Sequence, residues 1–130
     1  NATRVAQDQA VAGQEGNPYD LRVGGTFGLG AAEAVTIASG VATVTGSYVR
    51  LTSESSTSDT LDSITKADAV DGDLLLLVPL AGHTITVDDA NINLGAATRA
   101  VAPGGSLLLR YDGGEAQWTE LVFLAAADNA

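Results

Sequence analysis

The feature that most constrains this chain is a series of short runs rich in Val, Ile, Thr and Leu, cut at close intervals by turn residues. "AVTIA" (34–38), "VATVT" (41–45) and "SYVRLTS" (47–53) are separated by Ser39-Gly40 and Gly46-Ser47. β-Branched residues suit a pleated, half-buried surface, and Gly, Ser, Asn and Asp favour tight turns, so this spacing predicts strands joined by turns. Further strands are expected near 73–78, 84–88, 91–94, 106–111 and 117–123. The last two form a hairpin candidate around Asp112-Gly113-Gly114, residue types that tolerate positive φ. "TLDSITKA" (60–67) reads equally as a strand or a helical turn, because Leu61 and Ile64 are three apart. "GAAEA" (30–34) is too short for a helix. The expectation is an all-β fold: a short-stranded β-sandwich or β-barrel-like domain.

The run Leu74–Val78 is continuously apolar, without the alternation of a half-buried strand. Strands apolar on both faces are normally covered on both. A chain of 130 residues forms one domain and buries roughly two-thirds of its unfolded surface. It has difficulty covering both faces alone, and a second subunit would help. The run points either to oligomerisation or to a sandwich interior; a homotrimer is expected, with some of Leu75, Leu77, Trp118, Leu121 and Phe123 at or near subunit contacts.

Residues 1–17, "NATRVAQDQAVAGQEGN", contain only Val5 and Val11 as sizeable apolar side chains. Such a segment cannot bury much of itself. It is either a frayed tail or an extended arm that docks on a neighbour through Arg4, Val5 and Val11. The expected organisation is an arm over 1–17, a β-domain over 18–125 and a tail over 126–130.

Acidic residues outnumber basic ones 16 to 6, giving a formal net charge of −10. Such a surface repels phosphate backbones and anionic bilayers, so neither nucleic acid nor membrane is an expected partner. No apolar stretch has the length of a membrane span. No hydrophobic region follows the first charged residues, so a secretion signal is not expected there. The chain has no cysteine, which removes disulfides, thiolate zinc sites and cysteine nucleophiles together.

Catalytic equipment is equally sparse. The single histidine, His83, lies in the turn "AGHT" without a nucleophile-elbow motif, and reads as a solvated polar residue. "DANIN" (89–93) has oxygen ligands at calcium-loop spacing. Leu94 stands where that loop needs glycine, and Ala100 where it needs glutamate, so a half-buried strand with Ile92 and Leu94 inward is the better reading. The cluster "GGTFGLGAAE" (24–33) lacks the third glycine of a dinucleotide fingerprint and the lysine of a P-loop. No catalytic, cofactor-binding or metal-binding residue is expected, and the chain is not expected to be an enzyme.

Three segments then stand out together: "TGSYVRLTSE", "LDSITKADAVDGDLLLLVPLAGHTITVDDANINLG" and "GGSLLLRYDGGEAQWTELVF". Over about residues 46–123 this pattern resembles a β-rich module of virion proteins of tailed bacteriophages. The resemblance implies a structural protein, often trimeric, on the head or in a tail appendage. A short acidic chain with an arm fits a capsid decoration (cement) protein on the outer capsid surface, with the major capsid protein as partner. The alternative is a tail-fibre or tail-tip module that binds a host receptor. No match is seen over the first 45 residues.

Overall fold

A computed structural model describes residues 23–126. Among them there is no helix, and eleven strands account for the regular structure. The all-β expectation is met. The sandwich or barrel arrangement is replaced by a stacked coil, in which successive turns of chain lay parallel strands on one another.

The first turn supplies β1 (Glu33–Thr36) and β2 (Val41–Thr43). The second supplies β3 (Tyr48–Thr52), β4 (Ser58–Leu61) and β5 (Ser63–Thr65). The third supplies β6 (Leu74–Pro79), β7 (Thr84–Val87) and β8 (Ile92–Asn93). Strand pairing is parallel from turn to turn: β1 with β3, β3 with β6, β2 with β5, and β4 with β7.

The chain then doubles back. β9 (Arg99–Val101) runs antiparallel to β7, and β10 (Ser106–Asp112) antiparallel to β6. β11 (Gln117–Leu124) returns along β10 and ends the main sheet beside β8. The largest sheet therefore has six strands in the order β1-β3-β6-β10-β11-β8, and two smaller sheets, β2-β5 and β4-β7-β9, close the other sides. Antiparallel return strands cover the last parallel coil, whose edge would otherwise be open to pairing.

Alternating side chains fill the interior. Val49, Leu77 and Leu107 lie opposite one another on neighbouring strands, as do Leu75 and Leu109, and all five are buried. Leu61 and Ile64 are buried as well, but through a corner rather than a helical turn. The chain bends at Asp62, where the amides of Asp62 and Ser63 both donate to the Gly40 carbonyl at 2.7 and 3.1 Å. β4 and β5 flank that bend, so residues three apart both point inward. The expected hairpin forms, with Asp112 Oδ1 accepting the Gly114 and Glu115 amides at 3.0 and 3.3 Å, but the positive φ falls on Ala116 rather than on Asp112, Gly113 or Gly114.

Candidate interaction surface

The strand β6 divides its apolar side chains between two environments. Leu75, Leu77 and Pro79 are buried, Leu76 and Val78 are half-buried, and Leu74 is exposed. The interior of the chain's own coil therefore covers one face of the Leu74–Val78 run, and the outward face remains. Leu75, Leu77 and Trp118 were expected at subunit contacts; they are instead 0%, 1% and 1% exposed within a single chain. No surface of these three is left for another subunit, because their Cβ atoms lie on the inner side of the pleat. Tyr111 packs edge-on against Trp118 with ring centroids 4.9 Å apart. Phe123 is half-buried against the core, under the Arg99 guanidinium at 4.8 Å. Leu121 is exposed, at the bulge where the β10–β11 register shifts. Arg4, Val5 and Val11 lie outside the described residues.

The residues brought together on the outside are ones that the sequence reading did not select. Tyr48 lies opposite Leu76, Leu76 opposite Leu108, and Leu108 opposite Val122. Directly opposed residues of paired strands point to the same side of a sheet. These four therefore form an apolar row across β3, β6, β10 and β11. Leu74 and Leu124 extend it, and Leu74, Val122 and Leu124 are all exposed. A recess of about 340 Å³ opens at one end of this face, between Arg50, Val78 and Pro79 on one side and Gly104-Gly105 on the other. Arg50 donates to the Pro79 carbonyl at 3.3 Å. The opposite end carries Arg110, with Asp71 at 3.9 Å, and Asp112 two residues further along β10. The signal for this face was present in the sequence as the unbroken leucine run. Periodicity cannot say which half of such a run turns inward.

The remaining polar groups hold the fold together. His83 is not simply solvated: its Nδ1 accepts the Ser53 amide at 3.2 Å and lies 3.1 Å from the Ser53 hydroxyl, tying the β6–β7 turn to the end of β3. Asn91 bonds the backbone of Ile64, in keeping with the strand reading over a calcium loop. Glu33 accepts the Thr45 and Gly46 amides at 2.9 and 3.0 Å; the Thr45 amide is the main influence holding its carboxyl below the usual range. Glu120 takes a bidentate contact from Arg99 at 3.0 and 2.8 Å, which lowers its pKa against the opposing effect of burial. The Gly95 amide adds a third bond to the same carboxylate at 3.1 Å. Lys66 is raised, first by its hydrogen bond to Asp68. Among the described residues, no group of three or more His, Asp or Glu side chains is placed to hold a metal ion, and every buried side-chain nitrogen or oxygen has a hydrogen-bond partner. No described helix is long and apolar enough to cross a membrane.

No protein-family model matches the chain, and no curated protein matches it significantly in sequence. Among solved structures, one described as the structure of a chaperone-substrate complex is similar with a TM-score of 0.45 and 15% identity. That match covers 65% of this chain and 14% of the other, so this chain spans a small part of its structural neighbour.

Proposed function

We propose that this protein is a non-enzymatic structural component of a tailed-phage virion, a decoration protein that binds the outer surface of the assembled head and clamps neighbouring capsid subunits. The observation that carries this reading is the outward face of the six-stranded sheet, apolar and shallow and framed by arginine and aspartate rather than by catalytic groups. The segments that resemble phage virion proteins supply the whole of it: "TGSYVRLTSE" gives β3, the leucine run gives β6, and "GGSLLLRYDGGEAQWTELVF" gives β10 and β11. A clamp works by burying area on two neighbours at once, and a specific interface buries more than about 1,000 Å² in total. The major capsid protein is the partner in this reading.

The stacking itself favours a second reading. Parallel coils extend naturally along one axis, as in an elongated tail appendage that contacts a host receptor. Particles lacking the protein separate the two. Loss of head resistance to heat or chelator with normal adsorption supports the decoration reading. Full head stability with failed adsorption rejects it in favour of the tail.

A further inference from the structure

We infer that the recess at the Arg50 end of the outward face receives a carboxylate side chain of the partner, from an extended segment that carries an apolar side chain two residues away. The inference rests on the reading of this face as the contact with the capsid, and it names the chemistry of that contact.

The recess lies where a ladder stops early. β6 runs to Pro79 and β10 starts at Ser106, yet their paired residues end at Leu77 and Leu107. The Leu76 and Leu80 amides donate to β3, so it is Leu75, Leu77 and Pro79 whose backbone groups turn towards β10. The next bonded pair would be Pro79 with Gly105. Pro79 has no amide hydrogen, and the Gly105 amide already donates to the Ala102 carbonyl at 2.8 Å. Neither is available to bridge the strand ends, and about 340 Å³ is open beside them.

Charge selects the occupant. The chain carries −10 overall, yet the one charged residue lining the recess is Arg50. Among the described cations, Lys66, Arg99 and Arg110 each have a carboxylate oxygen within 3.9 Å. Arg50 is paired with no described carboxylate; it gives one guanidinium nitrogen to the Pro79 carbonyl at 3.3 Å. Its remaining donors form a planar fork that fits a carboxylate bidentately. Tyr48 and Ser106, each with a hydroxyl, border the same space.

Register sets the second requirement. Arg50 lies opposite Val78, and Tyr48 opposite Leu76, two residues back along β6. Two residues of extended chain span about 7 Å. A segment laid along β6 with its carboxylate at Arg50 therefore sets its next side chain on that face over Tyr48, Leu76 and Leu108, where an apolar group gains by burial. A further step of the same length reaches Leu74 beside Arg110, whose guanidinium already has Asp71 at 3.9 Å. The unpaired charge is at the Arg50 end alone.

Titration of the full chain with a blocked pentapeptide, Leu-Thr-Glu-Thr-Leu, tests it, followed by the backbone amide resonances. The peptide offers the same spacing in either direction along β6. It should bind at roughly millimolar and shift the amides of Val78, Gly104, Gly105 and Ser106. The peptide with glutamine at its centre should bind about tenfold more weakly. Arg50→Gln, shown to be folded by its thermal melt, should lose the preference between the two peptides, and Arg50→Lys should keep part of it. The comparison of peptides on wild type needs no variant, so a misfolded Arg50→Gln leaves the test intact. Equal affinity of wild type for both peptides overturns the inference, as does no binding of either, a set of shifts elsewhere on the chain, or an unaltered preference in Arg50→Gln. Heads lacking the protein separate the inference from the reading on which it rests. Arg50→Glu should bind them about tenfold more weakly than wild type. Equal binding of both proteins rejects the recess as the contact and leaves the capsid reading in place. Heads that take up neither protein reject the capsid reading, and the peptide titration then decides the recess by itself.

Discussion

The side-chain amide of Asn91 serves both backbone groups of Ile64: its Oδ1 accepts the Ile64 amide at 3.0 Å, and its Nδ2 donates to the Ile64 carbonyl at 2.8 Å. One carboxamide thus stands in for a neighbouring strand and joins β5 to the third turn of the coil. The Asn91 carbonyl meanwhile accepts the Trp118 amide at 2.9 Å, so the same residue links β5 to β11. Asn91→Leu should destabilise the fold by about 2–4 kcal/mol, because it leaves an amide and a carbonyl of a buried residue unpaired. Asn91→Asp should be similarly harmful at neutral pH, where a carboxylate faces the Ile64 carbonyl. Its deficit relative to wild type should shrink below about pH 4, where a protonated acid regains the donor. Urea unfolding of the three proteins at two pH values checks both.

The two faces of β6 should respond differently to the same truncation. Leu77 is 1% exposed between Val49 and Leu107, whereas Leu76 is half-buried on the outer face. Leu77→Ala should cost about 2–5 kcal/mol, as core leucines do. Leu76→Ala should cost about 1 kcal/mol or less in dilute solution. Equal losses would contradict the assignment of inner and outer faces.

Acid should weaken the fold through two carboxylates. Glu33 and Glu120 are both held below their ordinary value of 4.5 in the folded chain, Glu33 first by the Thr45 amide and Glu120 first by the Arg99 guanidinium. A depressed folded pKa means that the unfolded chain binds protons more readily. The stabilisation is therefore fully present above the unfolded value and is lost as pH falls through the folded one. Lys66 has the opposite sign: its raised pKa gives a contribution that is complete below 10.5 and lost only as pH rises beyond it. The melting temperature should hold level near neutral pH and fall below about pH 4.5. The double variant Glu33→Gln with Glu120→Gln should start lower and fall less over the same acid range. An identical acid slope in wild type and double variant would remove these two groups as its cause.

Strand existence was legible in the sequence, and stacking was not. Leu74–Val78, Thr84–Val87 and the closing hairpin follow from β-branched and leucine runs bounded by turn residues, and each appears within a residue or two of its expected place. The coil is hidden because its turns differ in length. Glu33 faces Val49, 16 residues on, and Val41 faces Ser63 after 22. Ser58 faces Thr84 after 26, and Tyr48 faces Leu76 after 28. A repeat with no fixed period leaves no periodic trace in composition. The outward face was missed for a different reason. Leu76, Val78 and Leu108 have the same character as the buried Leu75, Leu77 and Leu107, so only pairing partners distinguish them. His83 was expected as a solvated turn residue and Asn91 as part of a strand, but their bonds to Ser53 and Ile64 span 30 and 27 residues and carry no local signal.

The delivery of β10 from the end of β9 to the edge of β6 passes through Gly105. Its amide donates to the Ala102 carbonyl at 2.8 Å, closing the turn that delivers β10 to the edge of β6. A Cβ there would lie 2.9 Å from the Leu124 carbonyl oxygen, 3.2 Å from the Ala102 oxygen and 3.3 Å from the Ala126 nitrogen. All three are backbone atoms, of the turn, of the last residue of β11 and of the segment just after it, so no flexible side chain can yield. Gly105→Ala should force the open end of the β10–β11 hairpin apart, at about 1–3 kcal/mol. Gly104→Ala meets no close neighbour, but its φ of +91° should cost about 1 kcal/mol through backbone strain alone. Gly114→Ala, whose Cβ would rest 3.4 Å from the Asp112 carboxylate, should change stability by about 0.5 kcal/mol or less. Hydrogen exchange distinguishes the two larger effects. Gly105→Ala should speed exchange in β11 near Leu124 ahead of global unfolding, whereas Gly104→Ala should shift all protected amides together. Unchanged exchange at the end of β11 in the folded Gly105→Ala protein would show that the hairpin tolerates the extra methyl, and that the return of the chain does not rest on this close approach.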